Sequence, residues 1–146
     1  SSLTGLSRPT VQGYIDLFEK TYLISRIPVF TVNPDREIVK AQKIYFNDTG
    51  LVKVLSNINS GSLFENAVFN QLKHFGKLQY YSLKTGREID FIQDHKTAFE
   101  VKETPAVYDL KYLKNFSEKA GIKQFRLIGR HASARFTDFI WGGSIR

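Results

Sequence analysis

The 146 residues include no cysteine and no methionine. Without cysteine, disulfides and thiolate metal sites are excluded, and a cytoplasmic location is the default expectation. No apolar run approaches the ~18 residues that would mark a membrane span. The opening Ser1-Ser2-Leu3-Thr4-Gly5 has neither the basic start nor the apolar stretch of a signal peptide. No G-x-x-x-x-G-K-[ST] loop occurs, so ATP is not expected to bind here through a P-loop. Nor is there a nucleophilic serine or cysteine arrangement. His74, His95 and His131 are scattered without ligand spacing and read as surface residues. The missing methionine, together with a start inside a helical motif, leads us to expect a piece of a longer protein.

What is present fits an ordinary globular chain. Hydrophobic residues make up 42% and charged residues 24%, so neither a disordered nor a fibrous class is indicated. The length suits one ordinary domain or two small ones. Twenty-one basic against 14 acidic residues leave a charge of +7, which favours a polyanionic partner such as DNA, because phosphate contacts release counterions.

Residues 1–58 have the outline of a winged helix. Ser7 is placed to cap a helix, Pro9 falls in its first turn, and Val11, Tyr14, Ile15, Leu17 and Phe18 recur at helical spacing through Lys20. Two extended runs follow, Tyr22–Thr31 and Glu37–Phe46, separated by the turn signal Asn33-Pro34-Asp35. Arg8, Gln12 and Lys20 fall on the exposed helix face and are candidate nucleic-acid contacts. The same outline also suits a small packing subdomain or a protein-interaction module. A short helical run, Leu51–Leu55, leads to the polar stretch Ser56–Gly61, the best boundary in the chain.

Residues 59–146 alternate between helix and strand. A helix over Ser62–Phe75 carries Phe64, Val68, Leu72 and Phe75 along one stripe. Strands are expected over Leu78–Leu83, Arg87–Gln93 and Thr97–Lys102, with turns at Lys84-Thr85-Gly86 and Asp94-His95-Lys96. A helix over Asp109–Ala120 crosses to a further strand, Gln124–Gly129, parallel to the previous one. Phe136–Trp141 is expected to pack on the sheet edge.

Strand alternation then groups the charges. Ile89 and Phe91 would take one face and leave Glu88 and Asp90 on the other. Phe99 and Val101 likewise leave Glu100 and Lys102 together. A lone E-x-K most often marks a solvated strand face. In a half-buried hairpin, however, adjacent carboxylates repel unless a cation neutralises them, and oxygen ligands suit Mg²⁺ or Mn²⁺. Glu88 is a weaker candidate, read as pairing with Arg87 or Lys84.

The motifs run in order: Ser7-Arg8-Pro9-Thr10-Val11, Lys43-Ile44-Tyr45-Phe46-Asn47-Asp48-Thr49-Gly50-Leu51, Gly61-Ser62-Leu63-Phe64-Glu65-Asn66, Arg87-Glu88-Ile89-Asp90-Phe91 and Phe99-Glu100-Val101-Lys102. The second half, with Asp90 ten positions before Glu100, resembles the PD-(D/E)XK phosphodiesterases. Ile89 stands where their usual proline precedes the aspartate. The series as a whole resembles the uncharacterised domain that follows AAA-type ATPase cores in bacterial and archaeal ATP-binding proteins. That resemblance implies an α/β (overall α+β) chain: a winged-helix-like segment, then a restriction-endonuclease-like mixed sheet flanked by helices. It implies an ATPase domain in the same protein as partner, no membrane association, and leaves room for an oligomer.

Carried over residue by residue, Glu65 matches the helical glutamate, Asp90 the metal-binding aspartate, and Glu100 with Lys102 the E-x-K pair. Catalysis would fall to Asp90, Glu100 and Lys102, and metal binding to Glu65, Asp90 and Glu100. Asp90 and Glu100, with the Val101 carbonyl, would hold one Mg²⁺ or Mn²⁺, and Glu65 a second ion or a metal water. Lys102 would orient the attacking water or offset charge on the phosphate. The competing expectation is a regulatory module that binds DNA or protein and cleaves nothing.

Overall fold

Ser7 opens the first helix, α1 (Arg8–Lys20), by accepting the Thr10 amide on its hydroxyl, with Pro9 in the first turn. The computed structural model describes residues 5–31, 41–82 and 86–145. The turns expected at Asn33-Pro34-Asp35 and Lys84-Thr85, and the first part of the run from Glu37, lie outside those residues. α1 buries none of its side chains, and Tyr14, Leu17 and Phe18 are 40–51% exposed despite their helical spacing.

Strands β1 (Ile24–Ile27) and β2 (Lys43–Phe46) pair antiparallel, with Ile24 opposite Phe46 and Ile27 opposite Lys43. The chain leaving β1 then runs beside Tyr80, whose amide donates to the Pro28 carbonyl at 3.0 Å. Helix α2 (Thr49–Leu55) is capped by Asp48, which accepts the Gly50 and Leu51 amides. Helix α3 (Ser60–Leu72) starts two residues earlier than its apolar stripe suggests, because Asn59 supplies the cap. It also stops sooner, and Phe75 is left 54% exposed instead of continuing the stripe.

The remaining elements build one five-stranded mixed sheet with helices against it. Strands β3 (Leu78–Ser82), β4 (Glu88–Gln93) and β5 (Thr97–Lys102) are antiparallel neighbours. Helix α4 (Val107–Lys119) crosses to β6 (Gln124–Gly129), which is parallel to β5. The edge segment adds a short parallel strand, β7 (Ile140–Trp141). The spatial order is β3-β4-β5-β6-β7. The architecture is mixed α+β, and no described helix is long and apolar enough to cross a membrane.

Two cores lie on opposite faces of this sheet. Phe64, Val68, Phe69 and Leu72 of α3 pack with Phe91, Phe99 and Val101, and the same core takes in Ile27, Val29 and Tyr45 from the first hairpin and its extension. Leu113 and Phe116 of α4 pack with Ile89, Ile92, Ala98 and Leu127. Ile89 and Phe91, expected on one face, therefore enter different cores. The cause is a β-bulge. Gln79 faces Ile92 and Tyr81 faces Ile89, so Asp90 and Phe91 together oppose the single residue Tyr80. An extra residue breaks the two-residue alternation and re-aims the side chain it carries.

Candidate functional site

Asp90 is the residue carried by that bulge. The β4–β5 ladder runs from Gln93 opposite Thr97 to Phe91 opposite Phe99. Beyond it, the Val101 amide donates to the Asp90 carboxylate at 2.9 Å, so a side chain takes over from the strand ladder at this fork. Asp90 is thus fixed by backbone geometry and only 14% exposed.

Glu100 follows Phe99 on β5 and points away from the core that Phe99 and Val101 enter. Its carboxylate accepts a charge-assisted hydrogen bond from Lys102 Nζ at 2.6 Å, through Oε1. The other oxygen, Oε2, is buried without a hydrogen-bond partner. A buried carboxylate oxygen left unpaired is costly, and a cation beside it would remove that cost.

Glu65 arrives from α3. Its Oε1 accepts the Tyr45 hydroxyl at 2.6 Å, and the Tyr45 ring stacks on Phe69 with centroids 4.5 Å apart. The neighbouring Asn66 fixes β2 against α3. Its side-chain oxygen accepts the Phe46 amide and its nitrogen donates to the Phe46 carbonyl, both at 2.9 Å. Because strand side chains alternate, this anchoring turns both Lys43 and Tyr45 towards Glu65.

Lys43 is the residue that sequence reasoning missed. Its ammonium lies 2.9 Å from Glu88, 3.6 Å from Glu65 and 3.7 Å from Asp90. Glu88 therefore pairs with Lys43; of the two partners expected for it, Arg87 makes no ion pair with it among the described residues, and Lys84 lies outside them. The only sequence signal was the K-x-Y alternation on β2, which points two polar-tipped side chains the same way.

The electrostatics follow from burial. Desolvation pushes the Asp90 carboxyl up to about 7, helped by the charges of Glu100 and Glu65 and opposed by Lys43 and the Val101 amide. Burial raises Glu100 as well, against the pull of Lys102, the Asp90 backbone amide and Lys43. Lys43 and Lys102 both lose hydration, which lowers them. The carboxylates more than offset this, and both end above the usual lysine value. Burial and the charge of Glu65 raise Tyr45 too, so it remains a neutral donor. The site thus holds two firmly charged ammonium groups and at least one carboxyl that titrates near neutrality.

Asp90 interacts directly with both halves of the site: Lys43 on the Glu65 side, and the Val101 amide and Glu100 on the other. Among the described residues no group of three or more acidic or histidine side chains is arranged so that it could hold a metal ion, so Glu65, Asp90 and Glu100 do not form a three-carboxylate site. The donor set instead suits an ion that keeps water and takes phosphate, since Mg²⁺ commonly uses one or two carboxylates and leaves its other positions open. Asp90 and Glu100, with the unpaired Oε2, fit that description. A cavity of about 300 Å³ runs beside Lys43 and Glu65, walled by Phe46, Val52 and Ile58.

The other candidates lie outside this constellation. Arg8, Gln12 and Lys20 are exposed on α1, where Gln12 donates to Asp16 at 2.8 Å. His74, His95 and His131 are exposed, and His95 sits edge-on to Phe30.

Comparison with known proteins adds the family. No curated protein and no solved structure matches the chain. Residues 1–62 match the model described as Domain of unknown function (DUF8612). Residues 60–141 match the model described as Domain of unknown function (DUF4143), and the chain, more than half of which that match covers, belongs to this family.

Proposed function

We propose that the chain carries a metal-dependent phosphodiesterase site of the PD-(D/E)XK type, acting on DNA, on a restriction-endonuclease-like core preceded by a winged-helix-like segment. The observation that carries this reading is the strand fork. There Asp90 is held on the Val101 amide, and Glu100 keeps one buried oxygen without a partner beside Lys102. In this reading Asp90 and Glu100 bind Mg²⁺ or Mn²⁺, and Glu65 holds a second ion or a metal water. The ion, once bound, would polarise the scissile phosphate and acidify a water. Lys102, hydrogen-bonded to Glu100, orients the attacking water or offsets the charge growing on the phosphate. The +7 charge supports a polyanionic substrate. The likeness to domains that follow AAA-type ATPase cores makes an ATPase of the same cytoplasmic protein the proposed partner.

A cleavage assay tests this directly. The full chain is incubated with Mn²⁺ and duplex, nicked, single-stranded or branched DNA, or RNA. Asp90→Ala and Glu100→Ala are expected to lose both metal binding and cleavage. Lys102→Ala is expected to bind metal and lose cleavage, because its role lies in the transition state. Cleavage that persists in all three variants contradicts the site.

One observation favours a second reading, a non-catalytic regulatory module of that ATPase. Tyr14, Leu17 and Phe18 on α1, and Tyr22 just after it, remain exposed, and a row of large apolar side chains at helical spacing suits contact with protein better than with DNA. Metal binding without cleavage of any nucleic acid would favour it.

A further inference from the structure

Strand β2 delivers an ammonium into the acidic site from outside the sheet. Lys43 Nζ reaches Glu88 at hydrogen-bonding distance, 2.9 Å, but stands 3.6 Å from Glu65 and 3.7 Å from Asp90. Its other flank lies over the Tyr80 ring, 5.5 Å from the centroid, a further favourable setting for a cation. Three carboxylates from α3 and β4 thus gather round one positive charge. Only Glu88 is at hydrogen-bonding distance, and the other two are longer ion pairs. The lysine is not a loose surface chain: its side chain is 23% exposed, and the Asn66 clamp on Phe46 fixes the strand that bears it.

The geometry points to Lys43 as an internal counter-cation that competes with a divalent ion for this site. It offsets part of the negative charge of Glu65, Glu88 and Asp90 while no ion is bound. A divalent ion drawn to Asp90 must either repel the ammonium or displace it towards Glu88 and the adjoining cavity. This rests on the reading of Asp90 and Glu100 as metal ligands. Lys43 lies in the segment matched by the first family model, whereas Glu65, Glu88 and Asp90 lie in that matched by the second. The counter-charge is thus supplied by the N-terminal segment to carboxylates of the second half.

Calorimetric titration of the full chain with Mn²⁺ tests this, with thermal unfolding followed by circular dichroism in the same buffers. Lys43→Met removes the charge and keeps much of the side-chain volume. Lys43→Arg keeps the charge. Lys43→Met is expected to bind Mn²⁺ at least tenfold more tightly than wild type and to melt lower without metal. It should recover more on adding Mn²⁺ than wild type gains. Lys43→Arg is expected to bind within about threefold of wild type. If Lys43→Met is unfolded without metal, Mn²⁺ should fold it, and failure to do so overturns the inference. Equal or weaker Mn²⁺ binding by a folded Lys43→Met also overturns it, while wild-type binding leaves the metal site standing. No Mn²⁺ binding by any of the three proteins brings down the metal site and the Lys43 inference together.

Discussion

Burial and two neighbouring carboxylates hold the Asp90 carboxyl near pH 7, and the consequence for stability has a definite sign. The folded pKa is raised above the unfolded one, about 3.9. The stabilising effect of the bound proton is therefore complete below pH 4 and lost as the pH rises through 7. Each pH unit in that window is worth at most about 1.4 kcal/mol. Asp90→Asn keeps an acceptor for the Val101 amide but has no charge to bury. In denaturant unfolding without divalent ions, wild type should lose stability from pH 4 to 8 relative to Asp90→Asn, and parallel curves would contradict the assignment. Asp90 itself was readable from the spacing of E-I-D-F and F-E-V-K. Lys43 and Tyr45 were not, because their role depends on how β2 is docked, and that docking is set by Asn66 about twenty positions away in sequence.

At the scale of elements, the anchoring of β2 rests on a side chain that imitates a strand edge. Asn66 is 5% exposed and satisfies both the amide and the carbonyl of Phe46. Asn66→Leu fills similar space but leaves the Phe46 amide without its acceptor, while the Phe46 carbonyl keeps the bond from Asn70 at 2.9 Å. A buried backbone group left unpaired costs about 1–3 kcal/mol. A fall in the melting temperature is expected, with a smaller fall for Asn66→Asp, which can still accept from the Phe46 amide. An unchanged melting temperature would show that β2 is held without Asn66, by its pairing with β1, its apolar contacts and the bond from Asn70. The helices and strands of the second half were legible because their apolar periods are clean, and β5 and β6 match their expected bounds. The faces of β4 were not. A bulge leaves no mark in the alternation E-I-D-F, and only the pairing with β3 shows that Asp90 and Phe91 share one partner.

Across the whole molecule, the family models change over at residues 60–62, but the packing does not divide there. Ile27, Val29 and Tyr45 are buried in the same core as Phe69 and Phe91. Burying an aliphatic or phenylalanine side chain contributes about 1.5–3 kcal/mol. A fragment of residues 59–146 is therefore expected to be far less stable than the full chain, with broadened melting and exposed apolar surface that binds hydrophobic dye. A fragment melting cooperatively at the temperature of the full chain would contradict the shared core. Composition and motif order showed the sequence of elements, whereas the joining of the two halves was hidden, since the three buried residues sit in a hairpin that reads as self-contained. The central claim is that Asp90 and Glu100 form one divalent-cation edge at the strand fork. It is tested most directly by electron paramagnetic resonance of free Mn²⁺ titrated with the full chain. Wild type should deplete the free signal, and both Asp90→Asn and Glu100→Gln, folded by circular dichroism, should leave it undiminished. Depletion by either variant equal to that by wild type would contradict the claim.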